Sequence, residues 1–136
     1  MAVQSLDHYT IIASNLERSI EFYTDTLGLR NGERPEFDFP GAWIYVGDRA
    51  VVHLLGTDGA QKMADGGVFG GGQGEAPGTG SIHHVAFRAA DLEGYVKRLK
   101  AQNIPMKEQD VPGWPLHQVF LEDPDGVTIE LNFWDE

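Results

Sequence analysis

Four side chains interrupt stretches that are otherwise apolar and strand-like: His8 in LDHYTII, His53 in AVVHLLG, His84 in IHHVAF and Glu130 in VTIELNF. Imidazole nitrogen and carboxylate oxygen are the donors that hold Ni, Zn, Fe(II), Mn or Co. A carboxylate among apolar residues is costly unless it is paired or bound to metal. The set therefore predicts one divalent transition metal per site, with His8, His53, His84 and Glu130 as ligands and open positions left for a substrate. The chain has no cysteine, which excludes disulfides, thiolate nucleophiles and sulfur-ligated zinc.

The spacing of these residues gives the reason to group them. His8 and His84 lie 76 positions apart, and so do Asn15 and Asp91, Leu16 and Leu92, Ile20 and Val96, and Trp43 and Val119. A one-residue gap, expected in the last hairpin because Gly47-Asp48-Arg49 is shorter than its counterpart, sets His53 on Glu130. Five pairs at one offset indicate an internal duplication. A pseudo-twofold axis relating the halves would bring the four candidate ligands together. His84, as the repeat partner of His8, is expected to face the metal. His83 takes the slot of Asp7 and is expected to point away, because neighbours on a strand face opposite sides.

Each half must then supply the elements that position these groups. Leu6–Ala13 predicts a strand, Asn15 caps a helix carrying Leu16, Ile20, Tyr23 and Leu27, and Gly28 ends it. Trp43–Val46 and Val51–Leu55 predict paired strands, with a further short strand within Arg30–Pro40. The second half repeats the pattern with a strand at Ile82–Ala89 and a helix capped by Asp91 carrying Leu92, Tyr95, Val96 and Leu99. Strands at Val119–Leu121 and Val127–Phe133 follow, around the turn in Glu122–Gly126. Residues 56–80 are rich in glycine and carry no periodicity, which predicts a linker or loop. The expected organisation is one α+β domain over residues 1–136: a βαβββ module at 4–57, a linker at 58–80 and a second module at 81–134.

Composition narrows the function classes. A net charge of −11 with only 10 Lys and Arg argues against nucleic acid. No apolar run reaches the ~20 residues of a membrane span, and the first residues lack the blocks of a signal peptide. The expectation is a cytoplasmic protein without a membrane partner.

The stretches LDHYTIIASNLERSIEFYTDTLGL, SIHHVAF and FLEDPDGVTIELNF resemble the vicinal oxygen chelate superfamily of glyoxalases, bleomycin-resistance proteins and dioxygenases. That resemblance implies two tandem βαβββ modules forming an open, cup-shaped β-sheet, usually in a homodimer, around a divalent ion that chelates vicinal oxygens of a small substrate. His8, His84 and Glu130 match the family's commonest ligands. His53 stands where glyoxalase I has a second glutamate. The expected activity is a glyoxalase-type lyase or isomerase reaction on an oxygen-rich molecule. The alternatives are an extradiol-type ring-cleavage dioxygenase and a metal-free, bleomycin-resistance-like binding protein. Glu130 is the expected base once detached from the ion, and His117, in DVPGWPLHQVF, a second acid or base. Trp43, Phe39 and Trp114 are candidate substrate walls, and Arg34 a candidate anion anchor.

Overall fold

Alternating apolar residues build two four-stranded sheets in the computed structural model of the chain, which describes residues 2, 4–65 and 82–135. Each sheet belongs to one of two units, residues 1–76 and 77–136. Both show the expected α+β pattern of a strand, a helix and three more strands, and neither sheet is closed. Among the described residues no helix is long and apolar enough to cross a membrane.

In the first unit, β1 (Tyr9–Ile12) is followed by α1 (Leu16–Glu21), β2 (Arg30–Gly32), β3 (Gly41–Val46) and β4 (Arg49–Leu55). The Asn15 side chain accepts the Arg18 N–H at 3.1 Å and so starts α1. The helix then widens into a π-helical turn at Phe22–Thr26, where the Leu27 N–H reaches back five residues to the Phe22 carbonyl. That turn buries Phe22, Tyr23, Thr26 and Leu27, whereas Leu16 and Ile20 are only half-buried. Gly28, at φ 79°, ends the segment in the left-handed region that favours glycine. The sheet order is β1-β4-β3-β2, with β1 parallel to β4. Ile11, Ala42, Ile44, Val52 and Leu54 form its buried face.

The stretch expected to be a linker from residue 58 instead begins with a helix, α2 (Thr57–Asp65). Packing overrides its poor composition. Gly59 and Ala60 are buried, and a Cβ on Gly59 would stand 3.0 Å from the Phe39 ring and 3.2 Å from Leu55. Lys62 ties the helix to Asp38 by a 3.0 Å ion pair. The remainder of the expected linker, residues 66–80, lies outside the described residues.

The second unit repeats the topology as β5 (Val85–Arg88), α3 (Leu92–Ala101), β6 (Lys107–Asp110), β7 (Leu116–Glu122) and β8 (Thr128–Trp134), in the order β5-β8-β7-β6. Asp91 accepts the Gly94 N–H at 3.1 Å and caps α3. Leu99 is fully buried, and Tyr95 meets Phe133 edge to face with ring centroids 5.8 Å apart. Val119, Leu121, Ile129, Leu131 and Phe133 complete this core.

Register corrects the placement of the gap between the repeats. Trp43 pairs with His53 and Phe120 with Glu130, so the offset of 77 already holds at the third strand. The partner of Trp43 is Phe120, not Val119, and the gap lies upstream of the hairpin. A register shift between Ile44 and Tyr45 absorbs the difference in turn length.

Candidate metal centre

Each unit supplies one pair of the four candidate ligands. His53 and Glu130 are strand residues of β4 and β8, flanked on their own strands by buried apolar neighbours that face the other way. His8 and His84 do not lie within strands as expected. Each immediately precedes one, at the ends of β1 and β5, where the backbone is not yet committed to the ladder.

In the second unit His84 Nε2 stands 3.4 Å from Glu130 Oε1. Two donors each ~2.1 Å from a shared cation would be that far apart at an angle of about 110°, the tetrahedral spacing. This half of the set fits a metal. Glu130 is only 9% exposed, and its second oxygen is occupied: Oε2 accepts from Asn132 Nδ2 at 2.8 Å. Asn132 Oδ1 in turn accepts from Gln118 at 3.0 Å, and Gln118 Oε1 from Gln109 at 2.7 Å. Three amides on three strands thus donate in sequence toward one carboxylate. In the sequence the only mark of this amide chain is that Gln118 and Asn132 alternate with core residues along β7 and β8.

In the first unit the geometry is different. The His8 and His53 rings stack with centroids 3.6 Å apart and planes 12° from parallel. Trp43 stacks on the other face of His53, at 4.0 Å and 13°. An imidazole lone pair lies in its ring plane. An ion ~2.1 Å from both rings would sit between the planes, more than about 50° off each lone pair. As placed, the two histidines do not fit one cation together. Among the described residues no three or more His, Asp or Glu side chains gather into a metal-capable cluster.

The residue before each terminal histidine contributes in the same way. Asp7 Oδ2 lies 2.5 Å from His8 Nδ1, and His83 Nδ1 lies 2.9 Å from His84 Nδ1. His83 therefore does not point away; its ring stands perpendicular to that of His84 and fixes it. Either contact leaves Nε2 of the following histidine free to bind metal, a common supporting arrangement for such ligands. The His8 imidazole also holds the Asp7 carboxyl below its ordinary range. His53 donates Nε2–H to the Ala50 carbonyl at 3.1 Å. Burial, and then the neighbouring His8, push its pKa down.

His117 is not brought to Glu130. It pairs with Phe133 and Asp110, whereas Glu130 pairs with Phe120, so the two point from opposite faces of the sheet. His117 is clasped by Asp110 at 2.6 Å and Glu108 at 2.9 Å, and those carboxylates raise its pKa. It borders an 840 Å³ cavity with Arg88, Trp114 and Trp134 at the end of the second sheet, which Glu130 does not line. Trp114 is 65% exposed and meets Trp134 edge to face. Arg34 and Phe39 form a separate group: the guanidinium donates to the Phe39 carbonyl at 3.0 Å and lies over the Phe37 and Phe39 rings. Of the expected substrate walls, only Trp43 touches a candidate ligand.

Comparison with known proteins sets this geometry in a lineage. A probable lactoylglutathione lyase of Vibrio parahaemolyticus is 30% identical over 132 residues, spanning 91% of this chain and 86% of its own. The lactoylglutathione lyase of Salmonella typhimurium is 29% identical, with 91% and 88% covered. Among solved structures, lactoylglutathione lyase from Agrobacterium tumefaciens superposes with a TM-score of 0.70 at 18% identity, over 97% of this chain and 95% of that one. TnmS3, an antibiotic binding protein from Streptomyces sp. CB03234, gives 0.68 at 19% identity over 99% of both chains. These two likenesses concern the fold alone, which serves catalysis in one case and binding in the other. A family model spans residues 5–131, from before His8 to beyond Glu130, and by it the chain belongs to the Glyoxalase/Bleomycin resistance protein/Dioxygenase superfamily.

Proposed function

We propose that this chain is a divalent-metal-dependent enzyme of glyoxalase type, a lyase or isomerase acting on a small substrate through vicinal oxygens. The observation that carries the reading is the His84 Nε2–Glu130 Oε1 pair at 3.4 Å, its carboxylate braced on the far oxygen by Asn132. Relatives named lactoylglutathione lyase, similar along nearly the whole chain, support the reaction class.

His84 and Glu130 would hold the ion in the second unit. Bound there, the ion would act as a Lewis acid toward oxygens that gain negative charge during the reaction. The chain's own residues do the rest. Asp7 and His83 hold the two imidazoles with Nε2 free. Asn132 holds Glu130 Oε2, so Oε1 is left both as the donor to the ion and, once detached from it, as the base that would move a proton.

Protein purified without chelator, analysed for metal and assayed for hemithioacetal turnover with Ni²⁺ or Zn²⁺, tests the reading. The expected result is about one equivalent of bound metal and metal-restored turnover. Less than roughly a tenth of an equivalent, with no rise in melting temperature on adding Ni²⁺, Zn²⁺ or Fe²⁺, would refute it and favour ligand sequestration. Oxygen uptake with catechols under Fe(II), without isomerase turnover, would redirect it to a dioxygenase.

A further inference from the structure

We infer that the carboxamides of Gln109, Gln118 and Asn132 recognise the non-reacting part of the substrate, and that this part is a short chain bearing hydroxyls and a carboxylate rather than an apolar group. This assignment rests on the glyoxalase-type reading above for the chemistry at Glu130, and adds the substrate class.

Strand pairing alone sets the three amides in one row. Gln109 faces Gln118 across β6 and β7, and Gln118 faces Asn132 across β7 and β8, so neighbours in the row stand about 4.8 Å apart on one face. Arg88 continues the row onto β5, and the adjoining row on the same face reads Ala86, Glu130, Phe120 and Lys107. The carboxylate fixes which way the amides point. An ionised Glu130 only accepts, so Asn132 must present Nδ2 to Oε2 at 2.8 Å. Its Oδ1 then meets Gln118 Nε2 at 3.0 Å, and Gln118 Oε1 meets Gln109 Nε2 at 2.7 Å. No amide can flip without setting oxygen against oxygen. Each nitrogen spends one N–H along the row and has a second, and each oxygen has a lone pair that the row does not use. The face therefore repeats a donor beside an acceptor on each of three strands, the pattern that a hydroxyl matches. An apolar group laid there would strip water from these amides and return no hydrogen bond.

Charge on the same face selects the acid. The chain carries a net charge of −11, yet β6 sorts its side chains by face. Glu108 and Asp110 turn to His117, whereas Lys107 and Gln109 share the face of Glu130. Arg88 stands at the other end of the amide row, 5.5 Å over the Trp134 ring. Glu122, the acid of β7, pairs with Thr128 two rows from the amides, beyond Phe120. A cation on each outer strand thus flanks the row, and a carboxylate is the group that complements it.

The test uses the full chain, stripped of metal by dialysis over a chelating resin, so that it reports on the amides and not on an ion. Proton–nitrogen NMR follows the side-chain NH₂ pairs of Gln109, Gln118 and Asn132 during titration with three probes. These are gluconate, sorbitol, which lacks the charge, and hexanoate, which lacks the hydroxyls. Gluconate should move all three pairs saturably with a dissociation constant of about 10 mM or tighter, and bind at least about fivefold more tightly than either control. Gln109→Leu, at the end of the row farthest from Glu130, should lose about 3- to 10-fold in gluconate affinity. Gluconate leaving the three pairs in place, or either control binding within that fivefold margin, would overturn the assignment. The titrations of the unaltered protein decide this whether or not the variant folds. Failure of the metal-enzyme reading would be a separate result: no ion bound in protein purified without chelator, with the gluconate shifts intact.

Discussion

Asn132→Leu isolates the contribution of the amide chain to the carboxylate it serves. The substitution keeps the approximate volume and removes the Nδ2–H that donates to Glu130 Oε2 at 2.8 Å. It also deprives Gln118 of the oxygen it donates to at 3.0 Å. A hydrogen bond to a charged group contributes about 1.5–3 kcal/mol net, and Glu130 is buried enough for water to replace Asn132 poorly. At about 1.4 kcal/mol per tenfold, the loss corresponds to roughly 10- to 150-fold weaker metal binding. That range overlaps the 10- to 100-fold typical of residues that support a metal ligand. The assay is competitive titration with Zn²⁺ or Co²⁺ against a chromophoric chelator, with circular dichroism to establish that the variant is folded. Substitutions farther along the chain should cost progressively less: Gln118→Ala less than Asn132→Leu, and Gln109→Ala, on an exposed edge strand, least. A folded Asn132→Leu protein that binds within threefold of the unaltered chain would refute the argument, since Glu130 would then be oriented by its backbone alone.

His117→Gln tests the clasp on β6. Asp110 and then Glu108 raise the His117 pKa above its ordinary 6.5, so its stabilisation is complete below 6.5 and lost as pH rises through the raised value. Melts from about pH 5 to about pH 9 should show the variant's deficit, about 1 kcal/mol or less, largest at the acid end; a deficit that grows with pH would contradict the sign. Gly94→Ala should fail to stabilise α3 despite the ~1 kcal/mol advantage of alanine in helices, because its Cβ would meet the capping Asp91 carboxylate; a raised melting temperature would show the cap to be dispensable. Leu99→Ala empties a fully buried site and should cost about 2–5 kcal/mol in urea unfolding. A cost below about 1 kcal/mol would mean that α3 is not anchored there.

The fold was legible wherever apolar residues alternate or recur, and illegible where tertiary packing decides. β3, β4, β7 and β8 each have a buried face spelled out in sequence. β6 reads KEQD, contains no apolar residue and is exposed throughout; it is a strand only because β7 offers it a ladder. α2 reads TDGAQKMAD, with a glycine and few large apolar residues, and what seats it is the close approach of Gly59 to Phe39 and Leu55. The candidate ligands stand out in the sequence as polar interruptions of apolar stretches, of which only His53 and Glu130 lie within strands, and two facts about them emerge only in the folded chain. The stacking of His8 on His53 follows from side-chain torsions that no spacing records. The separation of His117 from Glu130 follows from pairing Phe120, rather than Val119, with the glutamate, which the misplaced gap concealed. The supporting roles of Asp7 and His83 were within reach, because these residues stand 76 apart like the histidines they precede.

The strand order has a bearing on how the chain is made. In each unit the strand emerging last from the ribosome, β4 or β8, is the one flanked by the first and third strands. Until it arrives, the opening strand has no neighbour and the apolar side of the preceding helix has little to close on. Ribosome-stalled chains ending just before Arg49 should therefore remain protease-sensitive throughout, and protection of the first half should arise in one step once Leu55 has cleared the exit tunnel.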